Sequence, residues 1–405
     1  MPRLPGFHAM AFRPSKRRPG FFRTRRFLAR FRRTTQARLF HGNSVKLFRH
    51  GGEFFSAMLD GVSSARSHIC LEFYIIHNDR SGTMFAEALI AAAQRGVPVF
   101  LIYDYIGCID TPGAYFRGLE EGGVRCLPFN PPSFRKGISW FDRRNHRKFA
   151  VIDGTYVFLG GLNVGDEYTG FGDDATRWLD MGIRLEGPAA AELQKLFLKT
   201  WEEEDGKHSP AIPSPPPPIA EKDAADIMVV SGGPHHNRSF IRGAFRLAIA
   251  GASESVKIIT PYFVPGPIIV RSLLRAVKRG IHVQLLLPAV SDVPLAQIAG
   301  KAYLTPLLKS GIEIYKREGT VVHAKLMIID DCWTTIGSAN LDLRSFHRNY
   351  EMNVIIDSHD FGEAAAAFFD EELEKSRRVT LREHEARNWF ERLLERLCDP
   401  IRRFL

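Results

Sequence analysis

The 405-residue chain contains no run of about 18 apolar, uncharged residues, so no transmembrane helix is expected. Cysteine is scarce. The five residues Cys70, Cys108, Cys126, Cys332 and Cys398 are scattered, odd in number and without metal-ligand spacing. That pattern argues against a zinc module or a disulfide framework and suits buried or free thiols in a reducing compartment. Acid is missing from residues 1–38, which hold twelve Arg or Lys and no Asp or Glu. The net charge of +10 therefore belongs to a tail, and the remaining body sums to −2. A basic nucleic-acid-binding body is not what this distribution describes.

What the tail does have is phenylalanine: Phe7, Phe12, Phe21, Phe22, Phe27 and Phe31. Phe27, Leu28 and Phe31 fall at helical spacing among arginines. Such a segment suits an anionic membrane surface. Pro2, Pro5, Pro14 and Pro19 equally suit a flexible arm. A nucleic-acid arm and an acid-free transit peptide are further readings. Thr24-Arg25-Arg26-Phe27-Leu28 also resembles a twin-arginine export signal, but no apolar stretch follows it. At the other end, residues 381–405 form an amphipathic pattern, with Trp389, Phe390, Leu393, Leu394, Leu397, Ile401 and Phe404 every three or four positions. This helix is expected to pack on the body or to touch the membrane.

The chemistry-bearing signal is a duplication. His146, Lys148 and Asp153 occupy an HxKxxxxD pattern that returns 177 residues later as His323, Lys325 and Asp330. An Asn follows each His by 17 residues, in Gly160-Gly161-Leu162-Asn163 and Gly337-Ser338-Ala339-Asn340. In a strand, His and Lys at i and i+2 share a face. Asp153-Gly154 and Asp330-Asp331 carry turn chemistry between apolar runs, which predicts two hairpins. Each hairpin brings its Asn (Asn163, Asn340) back beside its His. A neutral imidazole can attack phosphorus, and a protonated one can serve the leaving oxygen. Lys and Asn donors can hold phosphoryl oxygens. No carboxylate cluster of the two-metal kind accompanies them, so neither metal nor other cofactor is expected.

This constellation resembles the phospholipase D superfamily, whose hallmark is a duplicated HxKxxxxD…GSxN. Within it the chain looks like bacterial cardiolipin synthases, through Asn145-His146-Arg147-Lys148, Thr260-Pro261-Tyr262-Phe263-Val264-Pro265 and the run from Ser338 to Phe346 followed by Glu351. The resemblance implies two similar α/β/α sandwich halves related by a pseudo-twofold, with one active site at their interface. It adds roles: catalytic His146, Lys148, His323 and Lys325 within the motifs completed by Asp153 and Asp330, phosphate contacts from Asn163, Ser338 and Asn340, and carboxylates that orient the histidines. Asp180 is expected behind His146 and Glu351 behind His323. Asp153 and Asp330 are expected to hold turn and strand architecture. Gly161 stands where the second copy has Ser338, so the halves are not equivalent.

The flanking pattern agrees with α/β halves, because strand–helix–strand runs precede each motif. The halves are placed at 39–205 and 222–380, after a tail at 1–38. A Pro-rich linker at 206–221 separates them, and the C-terminal helix follows at 381–405. The implied activity is transfer of a phosphatidyl group from phosphatidylglycerol to the hydroxyl of a second phospholipid, through a phosphohistidine. Hydrolysis of phospholipids, cleavage of nucleic acid, or lipid binding without catalysis are the rivals. The expected partners are anionic phospholipids and the cytoplasmic face of a membrane, held peripherally, with no nucleic acid. One chain carries both halves, so a monomer suffices.

Overall fold

In the computed structural model, residues 24–132, 139–171, 177–205, 210–213, 224–234, 239–387 and 389 are described. The first half contributes β1 (Leu39–Phe48), β2 (Ile69–Phe73), β3 (Val99–Asp104), β4 (Arg125–Phe129), β5 (Phe149–Ile152), β6 (Tyr156–Gly160) and β7 (Gly182–Glu186). The second contributes β8 (Ala225–Gly232), β9 (Ser255–Ile259), β10 (Phe263–Val264), β11 (His282–Pro288), β12 (Glu313–Arg317) and β13 (Leu326–Ile329). It continues with β14 (Trp333–Gly337), β15 (Leu341–Asp342), β16 (Glu351–Asp357) and β17 (Ser376–Arg378).

Fifteen of these strands form one sheet, ordered β17-β12-β11-β9-β13-β14-β16-β8-β1-β7-β6-β5-β2-β3-β4. Outward from the central antiparallel pair of β1 and β8, both directions read alike. β7, β6, β5, β2, β3 and β4 on one side correspond to β16, β14, β13, β9, β11 and β12 on the other. The sequence duplication is thus a structural one. In each half a hairpin (β5–β6 or β13–β14) abuts a parallel trio (β2-β3-β4 or β9-β11-β12). Helices such as Arg80–Gln94 and Gly266–Lys278 supply the crossovers. β2, β5, β13 and β14 are buried throughout; β5 and β13, which begin just after the motif lysines, accordingly read as unbroken apolar runs rather than alternating ones.

Among the described residues, one large core lies within the first half, a second joins the second half to Phe27, Phe31 and Ala37, and a third spans both halves. The spanning core joins Phe149, Val151, Leu159 and Phe197 of the first half to Leu326, Ile328, Val354 and Phe368 of the second. Each such side chain contributes about 1.5–3 kcal/mol on burial. The halves are therefore packed as one body, and the site at their seam has rigid walls.

Within the segment expected as a tail, residues Arg25–Thr35 form a helix ahead of β1. Thr24 caps it, accepting from the Phe27 N–H at 3.2 Å, and Gln36 ends it in the left-handed region. Phe27 and Phe31 are buried against the second half, and Phe31 meets Trp333 edge-on with ring centroids 6.1 Å apart. The helical spacing was legible, but its apolar face is spent on the body and is not free for lipid. Arg25, Arg26, Arg30, Arg32 and Arg33 face solvent. Residues 1–23, most of the linker and residues 390–405, to which the expected C-terminal helix extends, lie outside the described residues; the described helix there is Leu381–Glu385. No helix among the described residues is long and apolar enough to cross a membrane.

Candidate active site

His146 and His323 each sit in an extended piece just ahead of a hairpin, with β5 or β13 beginning directly after the motif lysine. These pieces are stitched across the seam. Asn145 bridges Tyr350, and the His146 N–H donates to Tyr350 O at 2.9 Å. Val322 bridges Leu179, and the His323 N–H donates to Leu179 O at 2.8 Å. Each histidine segment thus runs beside the residues that precede the other half's carboxylate.

The consequence reverses the expected pairing. Nδ1 of His146 lies 3.0 Å from Glu351 Oε1, and Nδ1 of His323 lies 2.6 Å from Asp180 Oδ2. The expectation of Asp180 behind His146 and Glu351 behind His323 is corrected. Local spacing places each carboxylate near its own hairpin, but the interface carries it to the opposite histidine. With Nδ1 engaged, Nε2 is the nitrogen left for chemistry in both rings.

The two carboxylates are held differently. Glu351 accepts from Ser345 Oγ at 3.0 Å on Oε1 and from Ser338 Oγ on Oε2. Asp180 accepts from the Met181 N–H at 2.8 Å. Ser338, expected on the phosphate, therefore serves the carboxylate; its Oγ also accepts from the Met352 N–H at 3.0 Å. The matching position is Gly161, where a Cβ would stand 2.6 Å from Asp180 Oδ2 and nearer still to Oδ1. The shorter, closer Asp180 occupies the room that a serine side chain would need.

Both lysines are buried. Lys148 Nζ donates to His146 O at 2.6 Å, and Lys325 Nζ donates to His323 O. Lys325 Nζ also lies 2.9 Å from His323 Nδ1. We assign that ring's Nδ1 proton to Asp180, the closer partner and a carboxylate. Burial pushes Lys325 down to about 8, with Asp180 opposing, and pushes Lys148 well below the usual range. Burial likewise lowers His146 to about 4, against the pull of Glu351, and lowers His323 with Lys325 adding to the effect. Burial raises both carboxylates, but Lys325 and His323 outweigh it at Asp180, and His146 with Lys148 outweighs it at Glu351. The result is two neutral imidazoles on ionised carboxylates, beside lysines whose charge is costly. An anion such as a phosphodiester relieves that cost and raises the histidine pKa values on arrival.

Asn163 Oδ1 accepts from the Ile75 N–H at 3.2 Å. Asn340 is buried with an Oδ1 that has no partner among the described residues, a polar atom poised for a ligand donor. The motif aspartates, grouped with the catalytic residues on the motif alone, are placed elsewhere. Asp153 accepts from the Ser67 and His68 N–H groups at 2.7 and 3.1 Å. Asp330 accepts from the Glu254 and Ser255 N–H groups at 2.8 and 2.9 Å. Both stand in the left-handed region at hairpin turns, at the far end of the strands from the histidines.

Several neighbours had no signal in the motif. Tyr74 lies against His146 with centroids 4.8 Å apart, and Tyr168 and Trp178 each lie 5.3 Å from the His323 ring. Arg147 is buried; it donates to Glu351 O at 3.3 Å and pairs with Glu72 at 3.4 Å. Arg147 sits inside the first motif and could have been suspected there. The aromatics come from other elements and are visible only in three dimensions.

The model of the cardiolipin synthase, phospholipase D-like domain matches residues 58–201 and 246–373. The chain is 34% identical over 364 residues to cardiolipin synthase 2 of Bacillus anthracis, covering 88% of this chain and 70% of that one. It is 33% identical over 363 residues to the major cardiolipin synthase ClsA of Bacillus subtilis strain 168, covering 89% and 75%. Among solved structures, phosphatidylserine synthase of Haemophilus influenzae Rd KW20 superposes with a TM-score of 0.70 at 11% identity, over 94% of this chain and 100% of that one. The last likeness speaks to the fold alone. With twin histidines at the seam of two matching halves, this chain belongs to the cardiolipin synthase family of phospholipase D-like enzymes.

Proposed function

We propose that this phospholipid phosphatidyltransferase makes cardiolipin from two molecules of phosphatidylglycerol, working peripherally at the cytoplasmic face of a membrane. The observation that carries the reading is the pair of carboxylate-backed imidazoles, His146–Glu351 and His323–Asp180, at one seam beside two buried lysines. A phosphodiester between them raises the pKa of His323, which takes up the proton it needs as an acid. Nε2 of His146 attacks phosphorus. The bond to the glycerol oxygen breaks, and His323 protonates that oxygen. Lys148, Lys325, Asn163 and Asn340 hold the phosphoryl oxygens. The hydroxyl of a second phosphatidylglycerol then gives its proton to His323 and attacks phosphorus, and the P–N bond to His146 breaks. One phosphodiester replaces another, so the exchange balances without a nucleotide.

Burial of His323 and Lys325 supports transfer over hydrolysis, because water must be kept from the phosphohistidine. The acid test is mass spectrometry of products from phosphatidylglycerol vesicles. Cardiolipin plus glycerol is expected; phosphatidic acid would make the enzyme a hydrolase. With acyl-labelled lipid, His323→Ala is expected to accumulate labelled protein and His146→Ala is not. Label on the His146 variant alone would reverse the two roles.

A further inference from the structure

A membrane phospholipid must reach a site whose histidines lie at a rigid seam, and the buried face of the helix Arg25–Thr35 is not available to guide it. We infer that the loop leaving β3 and the segment after β11, including the first turn of the helix Pro294–Lys309, form a two-sided apolar rim that seats the mouth of the site on the bilayer, with Ile109 on one side and Val290 and Leu295 on the other. The inference rests on the proposed lipid substrate.

Isolated exposed hydrophobics are ordinary; their placement here is not. Ile109 is 63% exposed, Val290 69% and Leu295 50%. Ile109 follows β3, while Val290 and Leu295 follow β11, and these two strands hold matching places in the halves. Both leave the sheet at the edge where the catalytic residues sit. Cys108 Sγ contacts Tyr74 O at 3.5 Å, and Tyr74 lies against His146. Asp292 accepts from Tyr262 Oη, and its charge acts on Lys325. Each loop is thus one layer from its own catalytic pair.

The rim is not basic. Asp110 follows Ile109 and Asp292 follows Val290 by two, both exposed. Attraction to anionic headgroups is not what these tips offer, so their contribution comes from burying apolar surface and withstands salt.

The test compares the full chain with the triple variant Ile109→Ser, Val290→Ser, Leu295→Ser, on vesicles of phosphatidylglycerol and phosphatidylethanolamine at low salt and at about 0.5 M salt. Wild type is expected to retain binding at high salt. The variant is expected to lose binding and vesicle turnover by on the order of 10- to 100-fold. Its turnover of dispersed short-chain phosphatidylglycerol is expected to stay within about twofold, which also shows that it folds. Equal vesicle binding by the two proteins overturns the rim. So does loss of the short-chain activity in a folded variant, since the loops would then shape the site. A Val290→Trp variant gives a second readout, with emission expected to shift to the blue on adding vesicles; an unchanged spectrum counts against insertion. Should wild type make no cardiolipin from either substrate, the proposed function fails while the binding comparison still decides the rim.

Discussion

Gly161 and Asp180 approach so closely that a Cβ on the glycine would stand 2.6 Å from Oδ2 of the carboxylate. In the other half Ser338 reaches Glu351 through its hydroxyl. The difference between the two motif copies is therefore matched by the difference between an Asp and a Glu. Gly161→Ala is expected to push Asp180 off His323 and lower kcat by about 100-fold, the scale of a misplacement of roughly an ångström. Ser338→Ala removes one hydrogen bond to a charged group and is expected to cost about ten- to a hundredfold. Steady-state kinetics on both variants checks this. Wild-type kcat in Gly161→Ala would remove any catalytic meaning from the close approach.

Crossed pairing predicts which ring responds to which carboxylate. Glu351→Gln is expected to change the imidazole nitrogen shifts and tautomer balance of His146 and to leave His323 nearly unmoved, with Asp180→Asn doing the converse. Nitrogen NMR of histidine-labelled protein reads this without reference to which ring is the nucleophile. The opposite pattern would restore pairing within each half.

The sequence made the chemistry legible because the motif spacing is local. A hairpin fixes His, Lys and Asn relative to one another over 17 residues. The partner of each histidine was not legible, since His146 and Glu351 are 205 positions apart and meet only through the seam. Phe27 and Phe31 show the same limit. Their periodicity announces a helix with an apolar face, but nothing in it says that Trp333 and the second half cover that face. Ser338 was misread for a related reason: a hydroxyl beside an active-site Asn suits a phosphoryl oxygen or a carboxylate equally well until the carboxylate's position is known.

The motif aspartates should behave as structural residues. Asp153 and Asp330 tie hairpin turns to the backbone entering β2 and β9. Asp153→Asn and Asp330→Asn each weaken charge-assisted bonds to backbone N–H groups and are expected to lower stability by about 1–3 kcal/mol. The kcat of the folded fraction should remain within a few-fold of wild type. Urea unfolding beside kinetics corrected for active protein makes the comparison, and a stable but inactive variant would return the aspartates to the catalytic machinery.

Stability should decline on the acid side in a definite window. Burial holds His146 at about 4 in the folded chain, against 6.5 as its ordinary value. Below 6.5 the unfolded chain binds a proton that the folded chain refuses, so stability falls as pH drops from about 6.5 towards 4. Asp180 and Glu351 are lowered in the folded state, so their contribution is present above the ordinary carboxylate range and is lost as pH falls through their folded values. Urea midpoints measured from about pH 7.5 down to 4.5 should decrease throughout the lower part of that range. His146→Gln, which cannot titrate, should flatten the slope. An identical slope in that variant would remove His146 as its source.

Phe31 decides what the N-terminal helix is for. Its side chain is fully buried, it meets Trp333 edge-on, and it packs in the core of the second half. The chain then enters β1, the strand that joins both halves of the sheet. Phe31→Ala should leave a cavity and cost about 3–5 kcal/mol, with Phe31→Leu costing less because it refills most of the volume. If the helix instead served a membrane surface through its phenylalanines, Phe31→Ala would weaken vesicle binding and leave the unfolding midpoint alone. Burial requires the reverse: a large fall in the urea midpoint, with vesicle binding of the folded protein unchanged. Measuring both on one preparation separates the two roles, because a single side chain cannot be enclosed by protein and also lie in lipid.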